Sequence, residues 1–227
     1  MNIEEFIEKI FSDNSFSEKL FSDVAFEDVE FNCLESERKS FEKLLNWQDC
    51  RKRDYAIGRI LNSLLDNKRE VILYYLTDDV LTVMINKRIE IMSLAHSPID
   101  SKWLLKIYRI DQRCVEALQT VALRILFDDS IDSIETFFDF INNYKNKFVY
   151  FYMFYKAFGV DSLSENMFNK LMLLCHYIQN NFYKKDKLFI LSRKYKKIIT
   201  DIYTKKEIVS KSFLDKQLNY GIKYFTL

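Results

Sequence analysis

The chain has 227 residues, of which 48% are apolar and 30% charged, and this composition excludes an intrinsically disordered protein. It contains only three glycines and one proline, and no Asn-Gly or Asp-Gly pair, so the residues that make the tight turns of β-sheets are scarce. The same count excludes the glycine-rich loops of Rossmann and P-loop proteins. The sequence therefore predicts an all-α fold, either a compact multi-helix bundle or an irregular helical-repeat-like array of about 9–11 helices.

Apolar residues recur at the spacing of amphipathic helices along nearly the whole chain. The predicted helices cover residues 3–11, 15–21, 34–45, 56–65, 71–94, 98–127, 131–141, 148–158, 162–182, 186–203 and 205–219. Residues 71–76 are β-branched and aromatic, so a strand is the alternative there, but the helical neighbours favour a helix. Residues 148–158 are apolar on nearly every side, which predicts a central buried helix that ends at Gly159.

Two divisions of the chain are predicted. Residues 1–46 are expected to form a small acidic helical region that packs on a main helical domain of residues 50–227. Inside the main domain the sharpest boundary lies near residue 97, because Pro98 disfavours helix at Ser97 and suits the first position of a new helix.

The N-terminus and the cysteine spacing together predict the cellular compartment of the protein. The first residues are acidic and contain no apolar segment of signal-peptide length, and no run is long enough for a transmembrane helix. The four cysteines are far apart and form no Cys-x-x-Cys pair, so free thiols are expected. A cytoplasmic protein without a transmembrane segment is therefore predicted.

The net charge of +1 hides an asymmetry along the chain. Residues 1–50 carry 13 acidic and 5 basic side chains, whereas residues 151–227 carry 6 acidic and 14 basic ones. The basic side chains concentrate in residues 184–211, where they predict a binding surface. The candidate residues of this surface are Lys184, Lys185, Lys187, Arg193, Lys194, Lys196, Lys197, Lys205 and Lys206.

Three aromatic residues, Phe189, Tyr195 and Tyr203, are interleaved with these basic residues. Cations and aromatic rings together suit a single-stranded nucleic acid, because the cations neutralise phosphates and the rings stack on bases. The same segment also suits an anionic membrane surface, contact with the acidic N-terminal region, or a solvated helix face whose apolar residues dock on the core.

A second constellation is the sequence Asp128-Asp129-Ser130-Ile131-Asp132, which follows a long apolar helix. Carboxylates one turn apart suit Mg²⁺ ions that bridge a diphosphate. Together with Ile125, Leu126 and Phe127 the motif resembles the first aspartate-rich motif of class I terpene synthases, and this resemblance implies an Mg²⁺-dependent isoprenoid-diphosphate enzyme that binds metal through Asp128, Asp129 and Asp132. The chain is shorter than that fold, and the second metal motif of the family has no match downstream. A helix–helix turn is the alternative role.

The other chemical candidates are few. Only two histidines occur, and neither has a metal-ligand partner at helical spacing, so no cofactor is expected outside the Mg²⁺ alternative. His96 is predicted to cap the end of a helix, and His176 is predicted to be a core residue. The aromatic residues 150–155 are expected to pack in the core, with a pocket for an apolar ligand as the alternative.

The N-terminal residues carry a second resemblance, over residues 3–46. Residues 6–11, 13–20, 34–39 and Leu44-Leu45 resemble the helical leader-type domains of ribosomal-peptide precursors and the small subunits of ring-opening dioxygenases. The resemblance consists of helix–loop–helix spacing, covers about a fifth of the chain, and does not extend to residues 26–31. It implies a docking domain that binds a partner enzyme and has no catalytic residues of its own.

These observations lead to three functional hypotheses. The first is a non-enzymatic protein-interaction module, such as an accessory subunit or an immunity- or effector-type protein, that binds a partner protein or forms a homo-oligomer through its acidic N-terminal and basic C-terminal surfaces. The second is a nucleic-acid-binding protein that uses residues 184–211. The third is the Mg²⁺-dependent enzyme built on Asp128, Asp129 and Asp132.

Overall fold

The computed structural model describes residues 1–19, 29–67, 70–205 and 209–225. It is 76% helical and contains fourteen helices and no sheet in these ranges, which confirms the all-α prediction. The helices are α1 (Ile3–Ser12), α2 (Asn14–Lys19), α3 (Glu35–Leu45), α4 (Cys50–Asn67), α5 (Ile72–Tyr75), α6 (Asp78–Lys87), α7 (Ile91–His96), α8 (Ser101–Ile110), α9 (Val115–Phe127), α10 (Ser133–Asn143), α11 (Lys147–Phe158), α12 (Glu165–Asn181), α13 (Lys187–Lys205) and α14 (Lys211–Phe225).

The chain divides into two compact units, Met1–Ala117 and Leu118–Leu227. The predicted boundaries at residues 46–50 and near residue 97 both fall inside the first unit. Whether residues 1–46 are a separate folding region stays a prediction.

In the first unit, α1 forms as its apolar spacing predicts. Its inward residues Ile3, Phe6, Ile7 and Ile10 are buried, and the helix packs against α3. The helix begins with a reciprocal cap, in which the backbone N–H of Glu5 donates to Asn2 Oδ1 at 2.9 Å and the backbone N–H of Asn2 donates to the Glu5 carboxylate at 3.2 Å.

A buried carboxylate holds the start of α3. Glu37 is only 1% exposed, and its carboxylate accepts hydrogen bonds from the backbone N–H groups of Asn32 and Leu34 and from the Tyr75 hydroxyl at 2.7 Å. The first N–H groups of a helix have no partner within the helix, and Glu37 supplies one for Leu34, the residue directly before α3. Glu37 therefore ties α3 to the preceding loop and to α5.

The predicted helix over residues 71–94 consists of three shorter helices, α5, α6 and α7. Residues 72–75 are helical, so the strand alternative was wrong. Thr77 caps α6 with its side-chain oxygen, and Arg88 and Glu90 adopt left-handed backbone angles between α6 and α7. These local conformations end one helix and begin the next, although the apolar spacing of the sequence continues through them.

The predicted helix over residues 98–127 is likewise interrupted. Its first part, α8, starts at Ser101, so Pro98 lies in the linker and not at the first helical position. The helix stops at Ile110, because the Asp111 carboxylate accepts hydrogen bonds from the backbone and side chain of Arg113. A short acidic side chain that binds nearby backbone in this way competes with helix continuation. These interruptions raise the number of helices above the predicted 9–11.

In the second unit, α11 is the buried centre that its composition predicts. Most of its side chains are buried, and α12, α13 and α14 all pack against it. The Tyr195 ring of α13 lies 5.1 Å from the Phe154 ring and 5.0 Å from the Phe158 ring, measured between ring centroids. The helix ends at Gly159 as predicted, but with φ −87°, so no left-handed residue closes it.

In the described part of the chain, no helix combines the length and the apolar character needed to cross a membrane.

Gly221 provides the first stability test. A Cβ at this position of α14 would lie 2.0 Å from Cε1 of Phe151, a buried ring that has no room to move. We expect Gly221→Ala to lower the free energy of unfolding by about 1–3 kcal/mol through overpacking, as measured by urea denaturation. Gly159→Ala is the matched control, because its Cβ would meet nothing closer than 3.5 Å; equal stabilities of the two variants would contradict the tight contact.

Glu90 provides a pH-dependent test. Burial is the main cause that raises the pKa of its carboxyl group, the negative charge of Asp54 adds to it, and the hydrogen bond from Ser93 opposes it. A raised pKa in the folded state means that the fold binds the proton more tightly than the unfolded chain. The stability contributed by this group is therefore present at acid pH and is lost as the pH rises through the folded pKa.

We expect Glu90→Gln to remove this loss, because glutamine keeps an acceptor for Ser93 but carries no charge. The melting temperature of the variant should exceed that of the wild type at neutral pH, and the difference should shrink toward pH 4. Asp139→Asn, at an exposed position of α10, is the control. A difference that does not change with pH would contradict the role of the Glu90 charge.

Candidate binding surface on α13

The predicted basic segment folds as α13, an amphipathic helix with distinct inner and outer sides. The inner side is buried and consists of Leu188, Leu191, Tyr195, Ile199 and Ile202. The outer side carries Ile190, Arg193 and Lys197 at positions i, i+3 and i+7, which align along one face of a helix. We call these three residues the α13 outer face.

A shallow groove of about 550 Å³ adjoins the outer face. It is lined by Lys184, Phe189, Ile190, Arg193 and Lys194. The apolar part of the groove is exposed, since 57% of Ile190 is accessible to solvent. The groove therefore combines three cations with apolar side chains, and an anionic partner with an apolar group fits this chemistry.

The cations at the centre of this surface are unneutralised. Lys184, Lys185, Arg193 and Lys197 are exposed, and no described acidic side chain forms an ion pair with any of them. By contrast, Asp186, which lies in the same segment, pairs with Lys147. An incoming anion at the groove would therefore meet free positive charge and would not have to displace an internal partner.

Three further predicted basic residues contact neighbouring helices on the flanks of α13, and one of them, Lys194, also lines the groove. The Lys187 ammonium lies 3.2 Å from the centroid of the Tyr224 ring, and that of Lys194 lies 5.9 Å from the Phe213 ring, both on α14. Lys196 lies on the opposite flank, with its Nζ 3.0 Å from Nε2 of His176 on α12. The side chain of Lys205 and the whole of Lys206 lie outside the described residues.

Two of the three aromatic residues predicted to stack on bases have other contacts. Tyr195 is buried, and its hydroxyl donates to Oε1 of Gln217 at 2.5 Å. Tyr203 stacks on Phe168 at 4.2 Å between ring centroids. A more exposed aromatic residue is Tyr183, which is 90% accessible to solvent and adjacent to Lys184, whereas Tyr203 is 38% accessible. Sequence reasoning missed it because it lies in the turn before α13, outside both apolar helix patterns.

The aspartate motif forms the turn between α9 and α10. The Asp128 carboxylate accepts a hydrogen bond from the backbone N–H of Ser130 at 2.9 Å, and this bond is the main cause that lowers the pKa of Asp128. The Asp129 carboxylate accepts from the Ser164 hydroxyl, the N-terminal cap of α12, at 2.8 Å. Asp132 precedes α10 without a side-chain capping bond. These contacts give Asp128 and Asp129 a structural role in the turn.

Lys170, on α12, binds the backbone of the same turn. Its side chain is fully buried, and its Nζ donates to the backbone carbonyl of Ile125 at 2.8 Å and to that of Asp128. It therefore satisfies carbonyls that the end of α9 leaves unpaired, and its charge complements the negative end of that helix. Among the residues that the structure describes, no group of three or more His, Cys, Asp or Glu side chains would hold a metal ion. The Mg²⁺ hypothesis stays a prediction.

Of the two histidines, His96 lies at the helix end where it was predicted, whereas His176 does not lie in the core. His176 is exposed on α12, so the prediction of a core residue was wrong. Its neighbour Cys175 points into the core, where burial raises the pKa of the thiol to about 12. His96 is the last residue of α7, and it borders a separate groove of about 400 Å³ with Asn62, Leu65 and Asp66.

The acidic N-terminal region is only partly neutralised within its own unit. Glu35 and Glu42 both pair with Arg38, and Glu18 pairs with Lys52. On α1, however, the carboxylates of Glu4 and Glu8 form no ion pair with any described residue. Residues 20–28, which include three further acidic side chains, lie outside the described ranges.

Comparison of the chain with protein-family models, with curated proteins and with solved structures finds no match. The resemblance of residues 3–46 to docking domains therefore stays a prediction.

Lys170 supplies a test of the turn. We expect Lys170→Met to lower the free energy of unfolding by about 1–3 kcal/mol, because it leaves two buried carbonyls without a donor. Thermal or urea unfolding measures the change. Lys145→Met, at an exposed position before α11, is the control and should stay within about 0.5 kcal/mol of the wild type. Equal effects at both positions would show that the carbonyl contacts do not stabilise the turn.

Proposed function

We propose that the protein is a non-enzymatic α-helical interaction module of the cytoplasm, and that its α13 outer face and the adjoining groove bind an acidic partner protein. The observation that carries this proposal is the exposed Ile190 in one groove with the unpaired cations Lys184 and Arg193, with the unpaired Lys197 further along the α13 outer face. In the groove Ile190 and Phe189 are rimmed by cations, and an apolar patch with a polar rim is typical of a protein interaction site.

The chemistry of the surface favours a protein partner. Arginine is enriched at energetically important positions of protein interfaces, where apolar residues exclude water around it. Here Arg193 lies next to Ile190 and Phe189, so a partner carboxylate paired with Arg193 would be shielded by apolar contacts. Complementary charge also accelerates association and selects among partners.

A second function is favoured by one specific observation, the exposed ring of Tyr183. It stands beside Lys184 and Lys185, so a base stacked on the ring would place its phosphates near two cations. Binding of a single-stranded nucleic acid is therefore the second candidate.

A charge-reversal variant tests the first function. The probe is a fluorescein-labelled acidic amphipathic peptide of about 15 residues, which is about four helical turns. We expect Arg193→Glu combined with Lys197→Glu to weaken peptide binding at least about tenfold, measured by fluorescence anisotropy at low salt. The matched control is Lys211→Glu with Lys216→Glu, two exposed positions of α14 that change the net charge equally.

The same assay separates the two functions. Equal weakening by the α13 and α14 variants would contradict a specific surface on α13, and absence of peptide binding to the wild type would overturn the first function. Tighter binding of an oligothymidine of about 15 nucleotides, lost steeply with added salt and weakened by Tyr183→Ala, would instead support the second function.

A further inference from the structure

We infer that the α13 outer face binds α1 of a second copy of this chain, so that the protein associates with itself through oppositely charged helices. The inference rests on the proposed function of α13 and names its partner. It follows from a match in charge, polarity and spacing between two helix faces that lie in different units of the chain.

The α13 outer face has a defined order when it is followed backwards along the chain. Lys197 comes first, Arg193 follows four residues earlier, and Ile190 follows three residues before that. The two cations are exposed and unpaired among the described residues, and the apolar residue is 57% exposed. The sequence of properties is therefore cation, cation, apolar, at steps of four and three.

A face of α1 has the complementary order when it is followed forwards. Glu4 comes first, Glu8 follows four residues later, and Phe11 follows three residues after that. Glu8 is exposed, Glu4 is half-buried, and Phe11 is 45% exposed. Neither carboxylate forms an ion pair with a described residue. The order is carboxylate, carboxylate, apolar, at the same steps of four and three.

Antiparallel packing of the two helices brings these groups together in register. Glu4 then lies opposite Lys197, Glu8 opposite Arg193, and Phe11 opposite Ile190. On each face the first and last of the three residues are seven positions apart, or about 10.5 Å at the rise of an α-helix, so the three pairs stay aligned along the contact. A parallel arrangement would instead place Glu4 opposite Ile190 and Phe11 opposite Lys197.

At the Phe11–Ile190 end of the contact, each helix has a further apolar residue beside the matched one. Phe11 packs edge-on against Trp47 with ring centroids 4.8 Å apart, so its exposed ring belongs to a larger apolar patch. On α13 the groove beside Ile190 has a volume of about 550 Å³ and includes Phe189. An aromatic ring inserted into such a groove beside charged pairs is the usual arrangement of an interface anchor.

The only basic residue on the α1 segment, Lys9, does not oppose this contact. Its Nζ lies over the Phe16 ring of α2, 6.0 Å from the centroid, on the side of α1 away from Glu8 and Phe11. On α13 the first acidic residue after Lys197 is Asp201, one turn beyond the three matched pairs. The charge match is therefore uninterrupted across the proposed contact.

The expected association is weak and sensitive to salt. One helix pair buries less area than a stable interface requires, and exposed ion pairs are screened as ionic strength rises. Every copy carries both the α1 face and the α13 outer face. Two copies can therefore form a closed dimer with two such contacts, or many copies can join head to tail in an open chain. Both give a mass above that of the 27.4 kDa monomer.

A charge-swap experiment with the full chain tests the inference, with mass measured by sedimentation velocity at low salt. The wild type should self-associate. Arg193→Glu with Lys197→Glu should stay monomeric, and so should Glu4→Lys with Glu8→Lys, because each variant then presents like charges on both faces. The association constant should fall at least about tenfold in each case. Circular dichroism checks that both variants remain helical.

Mixing the two variants in equal amounts should restore association, because each supplies the charge that the other lacks. The chain that carries all four substitutions should also self-associate, since its two faces are complementary again. The milder Glu4→Gln with Glu8→Gln, which adds no positive charge to the first turn of α1, should weaken association without abolishing it. The Lys211→Glu with Lys216→Glu control should associate like the wild type.

A wild type that stays monomeric at about 1 mM and low salt, a concentration that populates even a complex with a Kd near 1 mM, overturns the inference. Failure of the mixed variants to associate overturns it as well. In either case the acidic-peptide assay decides the proposed function separately: retained peptide binding at α13 leaves that function in place with a different partner, and its loss removes both.

Discussion

The burial of α11 is the constraint on which the second unit depends. A helix that is apolar on most sides must be covered on most sides, and α12, α13 and α14 do this. The close approach of α14 requires a residue without Cβ at Gly221. Because α13 commits Tyr195 and its buried leucines and isoleucines to this packing, its opposite side, with Arg193 and Lys197, is left to solvent. The candidate binding surface is therefore a consequence of how the core is covered.

Two buried charged residues, Glu37 and Lys170, have the same physical task in different units. Each binds backbone groups that a helix end leaves unpaired, the N–H groups before α3 for Glu37 and the carbonyls at the end of α9 for Lys170. Buried charge is tolerated only with such partners. In the turn after α9, Lys170 binds the backbone carbonyl of Asp128, while the carboxylates of Asp128 and Asp129 accept hydrogen bonds from Ser130 and Ser164.

Much of the helical layout could be predicted from local pattern, and the errors have a common cause. The helices α1, α3, α10, α11, α12 and α13 occupy nearly the predicted residues, because amphipathic spacing is a local property. The breaks at Thr77, Arg88 and Asp111 were missed, because the apolar spacing continues through them. Single side-chain-to-backbone bonds and left-handed residues end these helices, and such features carry little periodic signal.

By itself the sequence determined the all-α class, the buried centre at α11 and the opposite charges of the two ends. The tertiary structure alone decided which of the basic residues belong to the α13 outer face and its groove. It turned Lys187 and Lys194 toward rings of α14 and Lys196 toward His176, and it left Tyr183 exposed. The reason is physical: helical periodicity assigns a side chain to a direction around its own helix, whereas its partners depend on which distant segments pack beside it.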